Sequence, residues 1–454
     1  MTEVLLIFDV GKTNKKVLLF DRGLALVHEA ESRFDELTDE DGFPAEDARR
    51  LENWILKSLK AYLSSGEYLV KGINFTSYGA TLAYLDERGN RLTPLYNYMK
   101  PMPEKVVEGF YASHGGLVEF CRKTASPALG MLNAGLQLLW LKRTRPEVFS
   151  TVKHVLHLPQ YLSYLLTRRI TSEHTSIGCH TAMWDFDAMR YHPWMEEEGI
   201  SLPDPQDVSE TVHVEFGESG LEAGIGIHDS SSSLVPYILA AREPFVLVST
   251  GTWCISMNPF NQEALTAEEL KRDCLCFLSV NRTPVKSSRF FLGRIHDLNV
   301  DRLASHFGVK PDAFMEIKAE AQDIKRLWET GMESSCFFPE GIPDDLVDQT
   351  ANLSQFHSFP DAYSRLMADL TRLVIGSLKL VISKEDRTKH IYITGGFAKN
   401  PFFTGLMALA FPDRTVFTSR VDNATSLGAA LVISEKVWKG AGLKPDLGLK
   451  QVHC

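Results

Sequence analysis

The chain has 454 residues, 44% of them hydrophobic and 23% charged, with a formal net charge of −10. That length exceeds what one hydrophobic core usually serves and predicts two domains. The charge argues against a nucleic-acid partner, which needs a basic face. No apolar run approaches the roughly 18 residues of a membrane span, and the first, Val4–Phe8, stops at Asp9, too short for a signal peptide. Cys274 and Cys276 form a C-x-C pair, but no second pair or histidine cluster completes a zinc pattern. Cys454 lacks the three following residues of a prenylation motif. Plain thiols in a reduced, cytoplasmic compartment are expected.

In chain order, residues 3–8 and 15–20 read as two strands bent around a polar turn. Residues 47–63 predict a helix, with Leu51, Trp54, Ile55, Leu59, Tyr62 and Leu63 on one stripe. Residues 69–75 and 81–85 predict strands, with a turn over 86–90. Two helices are expected between about 130 and 167. The acidic segment at 194–200 reads as a solvated helix end. After residue 240 the opening pattern returns: "PFVLVSTGTWCISMNP" (244–259) is a strand, a Gly-Thr turn and a second apolar segment. "HIYITGGFAKNPFF" (390–403) is a strand, a glycine pair and a helix start. "ATSLGAALVISEKVW" (424–438) is a helix of small residues. Two similar openings about 240 residues apart suggest two halves of one plan, broken near 240–244.

The first turn contains Gly11-Lys12-Thr13. A P-loop would need a glycine where Leu6 stands and a helix after the turn, whereas an apolar strand follows. A tight turn between strands can instead aim backbone N–H groups at an anion. Gly11 would permit close approach, and Thr13 and Lys16 would add a hydroxyl and a charge. Asp9 could hold a hydrated Mg²⁺, or simply cap its own turn.

Taken together, Asp9-x-Gly11-x-Thr13 with Lys16, "VSTGTW" (248–253) and "ITGGFAKNP" (393–401) resemble the phosphate-one, phosphate-two and adenosine motifs of the FGGY carbohydrate kinases, in the actin, sugar kinase and Hsp70 superfamily. "GIGIHDSSSSLVP" (224–236) is similar to that family's Gly-x-His-Asp segment. Residues 73–98 resemble its sugar-binding strand, and 139–149 and 158–167 its mid-domain helices. The resemblance covers nearly the whole chain. It implies an α/β fold of two ribonuclease-H-like (actin-like ATPase) domains with the active-site cleft between them, divided as 1–241 and 242–454.

The resemblance also implies transfer of the ATP γ-phosphate, with Mg²⁺, to a hydroxyl of a ketose or deoxy-ketose. Asp229 matches the catalytic base; outside the family, "DSSSS" before an apolar run would read as a helix cap. Gly11, Thr13 and Lys16, with Lys12 among them, and then Thr250, Gly251 and Thr252 fall in the phosphate turns that the resemblance implies. Gly395, Gly396 and Asn400 match the adenosine side, and Asp9 the metal position. Ser77, Tyr78, Gly79 and His228 join Asp229 on the sugar side. The His-Asp segment is most similar to rhamnulose- and fuculose-type kinases. Two departures stand out. Lys12 replaces the usual Thr or Ser, and could reach the phosphate or point away. Tyr78-Gly79-Ala80-Thr81 lacks the carboxylate of the rhamnulose-kinase sugar strand. The remaining expectations are a small sugar as partner, no nucleic acid or membrane, and a homodimer. The competing readings are a non-catalytic sensor of the same fold and a glycerol-like polyol kinase.

Overall fold

A computed structural model describes residues 1–216, 219–331, 335–383, 385–440 and 443–453; Cys454 lies outside them. Two seven-stranded sheets carry the chain. The first uses β1 (Thr2–Val10), β2 (Asn14–Asp21), β3 (Leu26–Arg33) and β4 (Tyr68–Ser77), which follows helix α1 (Ala48–Ser64). Short strand β5 (Leu82–Leu85), helix α2 (Ala134–Thr144), strand β6 (His154–His157) and helix α3 (Leu158–Thr167) intervene. Strands β7 (Thr211–Phe216), β8 (Ser219–Gly224) and β9 (Ile227–His228) complete the sheet, and helix α4 (Asp229–Ala240) leaves it. Its order is β7-β8-β4-β1-β2-β3, with β9 also on β4; β4 runs parallel to β1, and β2 antiparallel.

The second sheet repeats this plan. β10 (Phe245–Thr250) pairs antiparallel with β11 (Cys254–Asn258), beyond which lie β13 (Pro284–Phe290) and β12 (Cys274–Leu278). After helices α5 (Leu292–Phe307) and α6 (Phe359–Leu378), β14 (His390–Gly395) runs parallel to β10. Helix α7 (Pro401–Ala410), β15 (Thr415–Thr418), helix α8 (Ala424–Trp438) and β16 (Lys450–Gln451) follow. The α/β architecture of two related domains expected from the motifs is thus present. The opening hairpin, α1, the 244–259 hairpin and α8 lie where the sequence predicts them.

Alternation along the central strands explains the layers. On β1, Leu6 and Phe8 face α1 and α3, while Leu5 and Ile7 face Leu427, Leu431 and Ile433 of α8. On β10, Val246 and Val248 pack with α6 and α7, while Phe245 and Leu247 meet Leu234 and Tyr237 of α4. Each half therefore ends in a helix that covers the other half's sheet or crosses to it. The two helices touch: a β-carbon on Gly428 would stand 1.9 Å from the Ser232 carbonyl oxygen. Ser232 Oγ donates to the Thr425 carbonyl (2.7 Å), and Asn74 Nδ2 on β4 donates to the Ala429 carbonyl (2.8 Å).

The strand expected at 81–85 is present as β5 and pairs with β6. Its residues lack alternation because Leu82 and Tyr84 enter one core and Ala83 and Leu85 another. The acidic segment expected as a solvated helix end is solvated on one face only: Trp194 is fully buried and its indole N–H donates to the Ala182 carbonyl (2.7 Å), while Glu196, Glu197 and Gly199 are exposed. Among the described residues no helix is long and apolar enough to cross a membrane.

The helix crossing yields a paired test. Gly428→Ala must push backbone apart and should cost about 1–3 kcal/mol. Gly376→Ala, in α6 with open space at the β-carbon, should stabilise by about 0.5–1 kcal/mol through helix propensity. Urea unfolding midpoints check both; equal shifts would remove the crossing as a constraint.

Candidate functional site

The site grows from strand ends. In the first sheet the carboxyl ends of parallel strands β1, β4 and β9 lie side by side: Val10 is level with Ser77, and Ser77 with His228. In the second, Thr250 is level with Gly395. Ligands of open α/β sheets sit beyond such ends.

Asp9 is the penultimate residue of β1. Its Oδ2 accepts a 2.6 Å hydrogen bond from Ser426 Oγ, at the start of α8. Burial pushes its pKa up to about 6; the Ser426 bond and Lys16 oppose this, and the charge of Asp229 adds to it. Lys16 Nζ binds Glu29 (2.7 Å) and Asn423 Oδ1 (3.3 Å), just before α8. These contacts tie the first hairpin to the second half of the chain.

The turn itself is closed by Gly11 N–H donating to the Asn14 carbonyl (2.9 Å). Lys12 turns back to pair with Glu36, and Thr13 is exposed. Lys15, 1% exposed, meets the Lys12 carbonyl and Glu46, each at 3.0 Å. Of the three lysines, Lys16 alone stands beside Asp9.

Asp229 opens α4 as its first helical residue, with His228 in the cap position. Its Oδ1 accepts from Ser230 N–H (2.6 Å) and Ser230 Oγ (3.2 Å), and lies 3.3 Å from His228 Nε2. About a third of the side chain stays open to the cleft. Burial by the surrounding walls pushes its pKa up to about 6 despite the Ser230 bonds. Behind it, His228 N–H donates to Thr175 Oγ1 (3.1 Å), and Thr175 Oγ1 donates to buried Glu173 (2.7 Å). Neither Glu173 nor Ser426 was anticipated from the sequence. Ser426 lay unremarked inside the small-residue helix, and Glu173 had no local signal.

The sugar-strand candidates divide. Ser77 and Gly79 adjoin His228; a β-carbon on Gly79 would stand 2.9 Å from His228 Nε2. The Tyr78 ring instead enters the core, with its hydroxyl 3.5 Å from Glu46.

In the second sheet, Thr250 Oγ1 donates to the Thr394 carbonyl (2.5 Å) and accepts from Phe397 N–H (3.1 Å), locking the two turns together. Gly395 has φ +87°, and a β-carbon there would lie 1.7 Å from the Thr250 carbonyl oxygen. Only glycine suits that position. Gly251, Thr252 and Gly396 are exposed. Asn400 caps α7 through Phe403 N–H (3.1 Å) and donates to Tyr363 (2.8 Å). Beside the glycine pair are two cavities. One, of about 450 Å³, is walled by His296, Phe314, Met315 and Phe397. The other, of about 570 Å³, is lined by Gly395, Gly396, Lys399, Arg420 and Asn423. Gly396 and Lys399 border both. The aromatic wall from Phe314 and His296 was not legible in the motifs.

Comparison with known proteins agrees with this geometry. Residues 4–200 match the N-terminal domain model of the FGGY family of carbohydrate kinases, and residues 242–441 match the carbohydrate kinase FGGY C-terminal domain. A rhamnulokinase of Oceanobacillus iheyensis is 23% identical over 267 residues, covering 56% of this chain and 56% of that protein. The chain is thus matched to little more than half of that relative's length. A rhamnulokinase of Yersinia pestis is 24% identical over 387 residues, 81% of this chain and 76% of its own. The crystal structure of a carbohydrate kinase from Novosphingobium aromaticivorans superposes with a TM-score of 0.80 at 24% identity, covering 99% of this chain and 94% of the other. With both domain models matched in order across two sheets of one plan, the chain belongs to the FGGY family of carbohydrate kinases.

Proposed function

We propose that the protein is an ATP-dependent kinase that phosphorylates a hydroxyl of a ketose or deoxy-ketose. The observation that carries this reading is the meeting of Asp229 and Asp9–Ser426 at the start of α4 and α8, beside the two strand-end turns. The halves 1–241 and 242–454 act as its two domains. The rhamnulokinase relatives support a deoxy-ketose substrate.

Phosphoryl transfer depends on positioning and charge neutralisation. Asp229 accepts the proton of the attacking hydroxyl, and the Glu173–Thr175–His228 chain holds it in place. Ser77, Gly79 and His228 border the sugar, with Tyr78 contributing its backbone. Gly11, Lys12 and Thr13 and the turn Thr250–Thr252 flank the phosphates, with the Lys12 side chain retained by Glu36 and Lys16 supplying positive charge. Gly395, Gly396 and Asn400 border the adenosine cavity. Asp9 fits a Mg²⁺ ion: Ser426 occupies Oδ2, while Oδ1 accepts no hydrogen bond among the described residues. Magnesium typically keeps several waters and uses one or two carboxylates with substrate phosphates. The ion would neutralise charge on the ATP phosphates. Closure of the halves would exclude water. A cytoplasmic homodimer acting on a small sugar, without nucleic acid, completes the reading. Unpaired cysteines among the described residues support the reduced compartment, and the charge of −10 argues against nucleic acid.

ADP release measured over a ketose panel tests the activity, and Asp229→Asn should lower kcat about 10²–10⁴-fold. Failure of every sugar, or full activity in that variant, contradicts the reading. Since the base acts when ionised, kcat of the wild type should fall progressively below about pH 6. The stability effect has the opposite sense. A folded pKa raised from 3.8 to about 6 means that the folded chain binds more protons across that window, so this group's contribution declines as pH rises through it. Asp229→Asn should therefore melt no lower than wild type at pH 8, and a clear drop in Tm would contradict a strained, buried base.

A further inference from the structure

Around the Gly79–Ala80 turn, four side chains carry buried polar atoms with no partner among the described residues: both ring nitrogens of His157, Nδ1 of His180, Nδ1 of His228 and Oε1 of Gln137. His157, His228 and Gln137 are 3%, 4% and 0% exposed. Such atoms are uncommon in folded proteins, and a cluster of them calls for a cause.

Their placement is specific. His157 pairs with Leu82 across β5 and β6, and the next residue, Leu158, donates its N–H to the Thr81 carbonyl (3.1 Å). Gln137 Nε2 donates to the Ala80 and Met131 carbonyls (2.6 and 2.7 Å), which turns Oε1 away from both. His228 lies against Gly79 and beside Asp229. His180 sits on left-handed backbone, φ +54°, followed two residues later by Ala182 at φ +61°. Asn133 Nδ2 holds the His180 carbonyl (2.9 Å), and Ser126 Oγ holds Ala182 N–H (2.9 Å). Non-glycine residues keep such conformations where the surroundings over-determine them, often at ligand sites.

Burial lowers the pKa of all three imidazoles, to about 3 for His157 and about 4 for His180 and His228. Each ring is therefore neutral at physiological pH, and its unpartnered nitrogen (both of them in His157) can donate to or accept from a hydroxyl according to the tautomer. The cation that acts on His180, Arg289, is already held by both oxygens of Asp273. A carboxylate entering this corner would lose water without gaining a free cation.

We propose that His157, His180, His228 and Gln137 form the inner wall of the sugar site and select a neutral polyhydroxylated substrate over a sugar acid, reading hydroxyls remote from the one phosphorylated. This rests on the kinase reading above. His157 and His180 act as specificity residues.

The test uses L-rhamnulose, L-fuculose and D-xylulose as neutral probes and D-gluconate as the acid, with His157→Leu, His180→Ala and His157→Asn. In the wild type, kcat/KM for the best ketose should exceed that for gluconate at least 100-fold. His157→Leu and His180→Ala should raise KM for the ketose tenfold or more and leave KM for ATP unchanged, and His157→Asn should recover part of the loss. His157→Leu also removes two unpartnered buried nitrogens, so its Tm should hold or rise, unlike loss of a structural contact. An unchanged ketose KM in both apolar variants, or a preference for gluconate, overturns the proposal. If the wild type releases no ADP with any probe, the kinase reading falls separately. Calorimetric binding of the same sugars without ATP then decides the wall: ketose binding lost in His157→Leu supports it, and no binding to wild type overturns it.

Discussion

The structure depends on one close approach, where α8 crosses α4 with Gly428 against the Ser232 carbonyl. Any side chain at that position would part the helices. Their contact is what lets the last helix of the chain cover the first sheet while α4 covers the second. It also sets their amino-terminal ends together. Asp229 opens α4, and Ser426, in the first turn of α8, reaches back to Asp9. The acidic centre is thus assembled by the same contact that joins the two halves.

That centre is electrostatically unfavourable in itself. Two half-buried carboxylates stand near one another, and the adjacent cation, Lys16, is shared with Glu29. Both acids are pushed up to about 6, whereas the ion-paired surface carboxylates of Glu29 and Glu119 are lowered. Carboxyl groups perturbed by burial and by a like charge cluster at functional sites. The neighbouring imidazoles complement this. Burial keeps them uncharged, so they shape the pocket without cancelling the charge of the base.

Much of this was legible in the sequence because it is local. The strand-turn-strand at 4–21 and its echo at 244–259 are runs whose alternate residues face different helices, and the structure keeps their bounds within a few residues. Helix 424–438 could be read from its small residues, and the close crossing supplies their reason. Long-range pairings were hidden. Ser426 is 417 residues from Asp9, and nothing near either position announces the bond. Lys12 looked ambiguous because Glu36, its partner, lies beyond the next strand. Tyr78 was grouped with the sugar strand because its neighbours belong there, but strand alternation and the buried Glu46 turn its ring inward. His157 and Gln137 sit in segments that read as ordinary strand and helix. Only their missing partners in three dimensions mark them out.

The most direct test of the central claim is a crystal structure with a non-hydrolysable ATP analogue, Mg²⁺ and a ketose bound together. The terminal phosphate should lie between the turns at 11–13 and 250–252, and one sugar hydroxyl within about 3 Å of Asp229, the reach of a general base. A nucleotide bound away from Gly395–Gly396, or a sugar with no hydroxyl near Asp229, would contradict it.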